Sequence, residues 1–150
     1  MKLAEALNLR ADIKKRMGQL NMRLQRNALV QEGEQPAENP TVLLKELDEL
    51  SAQLEELILR INLTNAKTLS NGKTLTELIS HKDTLRIKID IMRSFLDEAS
   101  RKVSRGTASE IRVLSTVNVL ELRKQVDDLE KNFRETDVKI QALNWNTELL

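Results

Sequence analysis

The chain has 150 residues, of which 40 % are hydrophobic, 31 % charged and only 2 % aromatic, with 4 Gly and 2 Pro. A sequence so poor in turn formers and aromatics excludes a β-sandwich or doubly wound sheet and points to long helices around a packed core. The balance of 24 Lys and Arg against 23 Asp and Glu gives no bulk attraction to nucleic acid or anionic lipid, and the lack of cysteine removes disulfides and thiolate chemistry.

The first helix is expected over residues 2–31. Leu3, Ala6, Arg10, Ile13, Met17, Leu20, Leu24 and Asn27 recur at gaps of three and four, the spacing that puts side chains on one stripe. Lys14, Lys15, Arg16, Arg23 and Arg26 make its outer surface basic. The stretch QEGEQPAEN (31–39), with Gly33 and Pro36, breaks it.

A second helix is expected over 41–65, with Asn39 as its cap and Pro40 in a tolerated first-turn position. Its seam is Leu43, Leu47, Leu50, Leu54, Leu57 and Ile61. Its acidic face (Glu46, Asp48, Glu49, Glu55, Glu56) matches the basic face of the first helix, so both read as solvated surfaces rather than a nucleic-acid site. Asn71-Gly72 is a turn signal, and Thr74 with Glu77 fits a capping box for a third helix over 75–103. That helix carries Leu78, Lys82, Leu85, Ile89, Met92, Leu96, Ala99 and Val103 on its seam. Leu7, Leu9, Leu44, Ile58, Ile87 and Ile91 lie beside the seams and widen them, as packing against more than one partner requires.

Residues 104–118 depart from helical spacing. Gly106, several Ser and Thr, and the alternation of Ile111, Val113 and Val117 predict a loop or short β-hairpin between the third and fourth helices. The fourth helix is expected over 119–146, capped by Asn118 with Glu121, along Val119, Leu122, Val126, Leu129, Phe133, Thr136, Ile140 and Leu143. The predicted fold is therefore mainly all-α: one domain spanning 1–150, an antiparallel bundle of four long helices with coiled-coil-like seams. Helices this long also suit an assembly in which the seams are completed between subunits.

Up-down order brings the start of helices one and three and the end of helices two and four to one level. There the seams turn polar, with Arg10, Asn62, Asn65, Lys82, Asp83, Asp137, Gln141, Asn144 and the single tryptophan, Trp145. A charge on a buried seam needs a partner, so Arg10 or Lys82 should pair with Asp83 or Asp137, and Arg10→Leu should cost about 3 kcal/mol. This candidate layer is either structural, fixing helix register, or a binding pocket walled by Trp145.

No enzyme signature is present. His81 is the one histidine, no Glu-x-x-His pair occurs, and Glu77 with His81 is too few ligands for zinc. No Gly-rich phosphate loop or nucleophile elbow is found. Catalytic residues, metal and cofactor are all expected to be none. The N-terminal stretch MKLAEALNLRADIKKR lacks the apolar core of a secretory signal, and no apolar run reaches the length of a membrane span, so a cytoplasmic location is expected.

The stretches INLTN (61–65), SEI (109–111) and DVKIQALNW (137–145) carry a resemblance. The chain resembles a bacterial family of small helical proteins labelled septicolysin-like, otherwise a domain of unknown function. The matching positions are Asn62, Thr64, Asn65, Asp83, Glu110, Asp127, Arg134, Asp137, Gln141, Asn144 and Trp145. Where the family pattern has Arg-Asp, this chain has Lys82-Asp83. The resemblance implies the helical fold, and its label implies a membrane-active, cytolysin-type protein. The residues themselves favour a non-enzymatic protein that forms a homo-oligomer and acts by binding a protein partner. A small-ligand or metal binder at the polar end is a weaker alternative.

Overall fold

The structure is a computed structural model and describes residues 1–101 and 112–150. Four helices account for most of it: α1 (Leu3–Arg26), α2 (Pro40–Lys67), α3 (Leu75–Ala99) and α4 (Val119–Asn146). A two-residue-per-strand antiparallel hairpin, β1 (Leu69–Ser70) and β2 (Lys73–Thr74), lies between α2 and α3. The chain divides into two compact units, Met1–Leu75 with Gln141–Leu150, and Thr76–Ile140.

In the first unit α1 and α2 pack antiparallel. As α1 advances from Arg16 to Arg23, the paired carboxylates retreat along the chain from Glu46 to Glu38. The core is the predicted seam: Leu3, Ala6, Ile13 and Leu20 from α1, and Leu43, Leu50, Leu57 and Ile61 from α2, all buried. Burying each such leucine or isoleucine contributes roughly 1.5–3 kcal/mol, which is what holds two charged, low-aromatic helices together. Pro40 opens α2 as expected, and the Asn39 side chain accepts a hydrogen bond from Thr41 N at 2.9 Å.

α1 stops at Arg26 rather than running to 31, for a local reason. Asn27, at a seam position, is buried, and its side-chain amide donates to Arg23 O (2.9 Å) while its Oδ1 accepts from Glu38 N (2.9 Å). Those two bonds cap the helix and fold the following loop back toward α2. Continuing the helix would have given up both bonds and left Glu38 N without its acceptor. Leu29 and Val30 are accordingly exposed.

The hairpin is built on Asn71-Gly72. Both residues have positive φ, 51° and 79°, as a two-residue type I′ turn requires, and the register pairs Leu69 with Thr74 and Ser70 with Lys73. Of the predicted loop or hairpin at 104–118, residues 104–111 lie outside the described residues. Its described part, 112–118, contains no strand.

In the second unit α3 runs antiparallel to the part of α4 up to Ile140. Lys82 meets Asp137, Arg86 lies over the Phe133 ring, and Arg93 pairs with Glu130, so the partner number falls as α3 advances. Leu78, Leu85, Ile89, Leu96, Val126, Thr136 and Ile140 are buried. Asn118 caps α4, with Oδ1 accepting from Glu121 N at 3.1 Å. α3 ends at Ala99, short of 103. The Ser100 hydroxyl takes the Leu96 carbonyl (2.7 Å) at the last turn, and Val103 lies outside the described residues.

Candidate functional site

The start of α1, the end of α2, the hairpin and the end of α4 converge within the first unit. What ties them is the tail after α4. Leu3 N donates to Thr147 O, Leu149 N to Met1 O, and Leu150 N to Thr64 Oγ1, at 2.9, 2.9 and 3.0 Å. Arg60 Nε donates to Leu150 O at 2.6 Å, and Leu75 N to Thr68 O at 2.8 Å. Thr64 is 1 % exposed, with its hydroxyl donating to Arg60 O at 2.8 Å while accepting from the tail. Residues 147–150 escape a periodicity reading because they are not helical. The available signals were the apolar Leu149 just past the helix and the opposite charges of Lys2 and Glu148.

The polar residues predicted for this end fall in both units. In the first unit, Asn62 and Gln141 are exposed, Asn65 is half-buried and Asn144 is buried. Trp145 is 59 % exposed, so its ring presents most of its surface to solvent rather than closing a pocket. Its neighbour Asn146 caps the helix end by donating to Ala142 O at 2.8 Å. Arg10 is half-buried and, among the described residues, has neither an ion-pair nor a hydrogen-bond partner. A half-buried arginine can lay its stem along apolar surface and keep its guanidinium in water, so it does not need a buried carboxylate.

In the second unit Lys82 Nζ lies 3.0 Å from Asp137 Oδ1, with Asp83 beside them exposed. The pair is partly exposed, 24 % and 38 % for the two side chains. It links a seam position of α3 to a residue beside the α4 seam and fixes one register between them.

α3 has a second apolar face. Ile87, Ile91 and Phe95 follow one another at four-residue spacing and are 61 %, 65 % and 47 % exposed. At 100° per residue they are centred roughly 140° around the helix from the buried Leu85–Ile89–Leu96 seam. Their position beside the seam suggested a widened core, but the turn of the helix carries them away from it. Phe95 also walls a shallow cavity with Ala99, Val113 and Leu114, so the stripe ends in further apolar surface.

The strongest electrostatics are elsewhere. Arg23 spans Glu38, at 2.5–3.1 Å through two nitrogens, and Glu46 at 3.4 Å. The hydrogen bond from Arg23 holds the Glu38 carboxyl below the usual carboxylate range, and the same bond raises Arg23. Lys2 and the N-terminal ammonium, at 2.7 and 3.2 Å, lower Glu148 in the same way, the Lys2 bond most. These are clamps on the helix pair and the tail, with the chemistry of salt links rather than of proton transfer. His81 is exposed. Among the described residues no group of three or more His, Cys, Asp or Glu is placed to hold a metal ion, and no helix is long and apolar enough to cross a membrane.

Residues 10–149 match the model of a family described as a family of unknown function, DUF6847. The chain is also similar to a solved structure described as a functionally unknown conserved protein from Corynebacterium diphtheriae. That likeness has 42 % identity and a TM-score of 0.90, covering 100 % of this chain and 99 % of the other. No curated protein is matched. Neither description carries the septicolysin label or a cytolytic activity, and what they support is the domain of unknown function. With nearly its whole length matched, the chain belongs to DUF6847, a family of unknown function.

Proposed function

We propose that the protein is non-enzymatic, self-associates, and acts through protein–protein contact made on helix faces its own chain leaves open. One observation carries this reading: α3 has a seam packed in its own unit and a second stripe, Ile87, Ile91 and Phe95, facing solvent. A row of large apolar side chains on one helix face is the surface other helices bind. The polar end residues have a structural role in this reading, with Lys82 and Asp137 setting register. A cytoplasmic place of work is part of the proposal, since a cysteine-free chain suits a reducing compartment.

Light scattering on a sizing column tests it, run with and without anionic liposomes. A defined oligomer, unchanged by liposomes and releasing no trapped dye, is the expected result. A monomer that moves onto liposomes and releases dye would overturn it and favour the membrane-active reading that the septicolysin-like label suggests.

A further inference from the structure

We infer that the open face of α3 pairs with the same face of a second copy of this chain, antiparallel, about a two-fold axis at Ile91. This rests on the self-association proposed above and names its surface and register. The stripe is centred on Ile91, with Ile87 one turn before and Phe95 one turn after. An antiparallel pair centred there sets residue n opposite residue 182 − n, so Ile91 faces Ile91 and Ile87 faces Phe95 of the second copy. A small aliphatic opposite a ring fills the contact evenly at both ends, and the cavity beside Phe95 receives the partner's first turns.

Charge selects the direction. Lys88 flanks the stripe, roughly 60° around the helix from Ile91, and Glu98 lies at its end. The antiparallel register brings Lys88 to about one turn from Glu98 of the second copy, two opposite-charge pairs counting both halves. A parallel register would bring each of these residues level with its own copy, like charge against like. Lys88 makes no ion pair among the described residues, while Glu98 is joined to Arg101 at 3.3 Å through one carboxylate oxygen.

The chain has no cysteine, so an introduced one reports alone. Under mild oxidation full-length Ile91→Cys should form a disulfide dimer. Ile87→Cys and Phe95→Cys should stay single when separate and cross-link when mixed. Ile91→Glu should weaken self-association by about 100-fold or more while keeping the wild-type circular dichroism. If Ile91→Cys loses its helical spectrum, the mixture of the other two decides. Cross-linking of Ile87→Cys with itself as readily as in the mixture would overturn the antiparallel register. A wild-type oligomer in which neither Ile91→Cys nor the mixture cross-links would overturn this inference and leave self-association standing. A wild-type monomer would overturn both.

Discussion

Lys82 on the α3 seam and Asp137 beside the α4 seam, 55 positions apart in sequence, meet at 3.0 Å. Lys82 stands where an apolar residue would otherwise fill the α3 seam, so its pairing with Asp137 spends stability to gain a unique register. Removing one partner tests this. Lys82→Met should destabilise by about 1 kcal/mol in urea unfolding, because the partly exposed Asp137 can be rehydrated and the loss is well below that of a fully buried pair. The double change Lys82→Met with Asp137→Leu should recover most of it. A loss of about 4 kcal/mol for the single variant would mean that the pair is dry.

Arg10 gives the opposite case. It occupies a seam position, yet it has no ion-pair or hydrogen-bond partner among the described residues. Arg10→Leu should therefore change stability by no more than about 0.5 kcal/mol, in place of the about 3 kcal/mol expected had it held a buried carboxylate. Thermal or urea unfolding decides between the two.

The two lowered carboxyls make acid stability a test of the salt clamps. Glu38 and Glu148 titrate lower in the folded chain than in the unfolded one. Their contribution is thus fully present above the unfolded value of about 4.3 and is lost as pH falls through the folded value. Glu38→Gln and Glu148→Gln should each flatten the fall in melting temperature below about pH 4 and leave its slope near pH 7 unchanged. An unaltered acid limb in both variants would show that these links do not stabilise the fold.

Thr64 holds the tail. It is buried, and its hydroxyl accepts from Leu150 N at 3.0 Å. Thr64→Val keeps the shape and removes the acceptor, which should cost about 1 kcal/mol and speed exchange of the Leu150 amide. Ile61→Ala, at a fully buried site one turn away, should cost more, about 2–5 kcal/mol. No loss of stability and unchanged exchange of the Leu150 amide in Thr64→Val would mean that the tail bond is not formed in solution.

The helices were legible because burial here follows a three-and-four spacing. Leu43, Leu50, Leu57 and Ile61 lie inside, and so do Leu78, Leu85, Ile89 and Leu96. Caps were legible at Asn39 and Asn118, whose short side chains suit that one geometry. The hairpin strands at 69–74 were not, because two residues per strand carry no alternation. Only their turn, Asn71-Gly72, announced itself. At the candidate site the polar seam positions could be listed, but not which of them were wet. Lys82 finds Asp137, whereas Arg10 is half-buried without a partner among the described residues and Trp145 stays outside, because long or amphipathic side chains choose their direction by local packing rather than by spacing. The open stripe was named in part, as Ile87 and Ile91, and its exposure follows from the turn of the helix rather than from composition.

The most direct measurement is sedimentation equilibrium of the full chain and of Ile91→Glu, from about 1 to about 100 µM. The wild type should pass from the 17.2 kDa chain to twice that mass as concentration rises, and Ile91→Glu should remain at the single-chain mass with its helical spectrum intact. A wild type that holds the single-chain mass over the whole range would contradict the account.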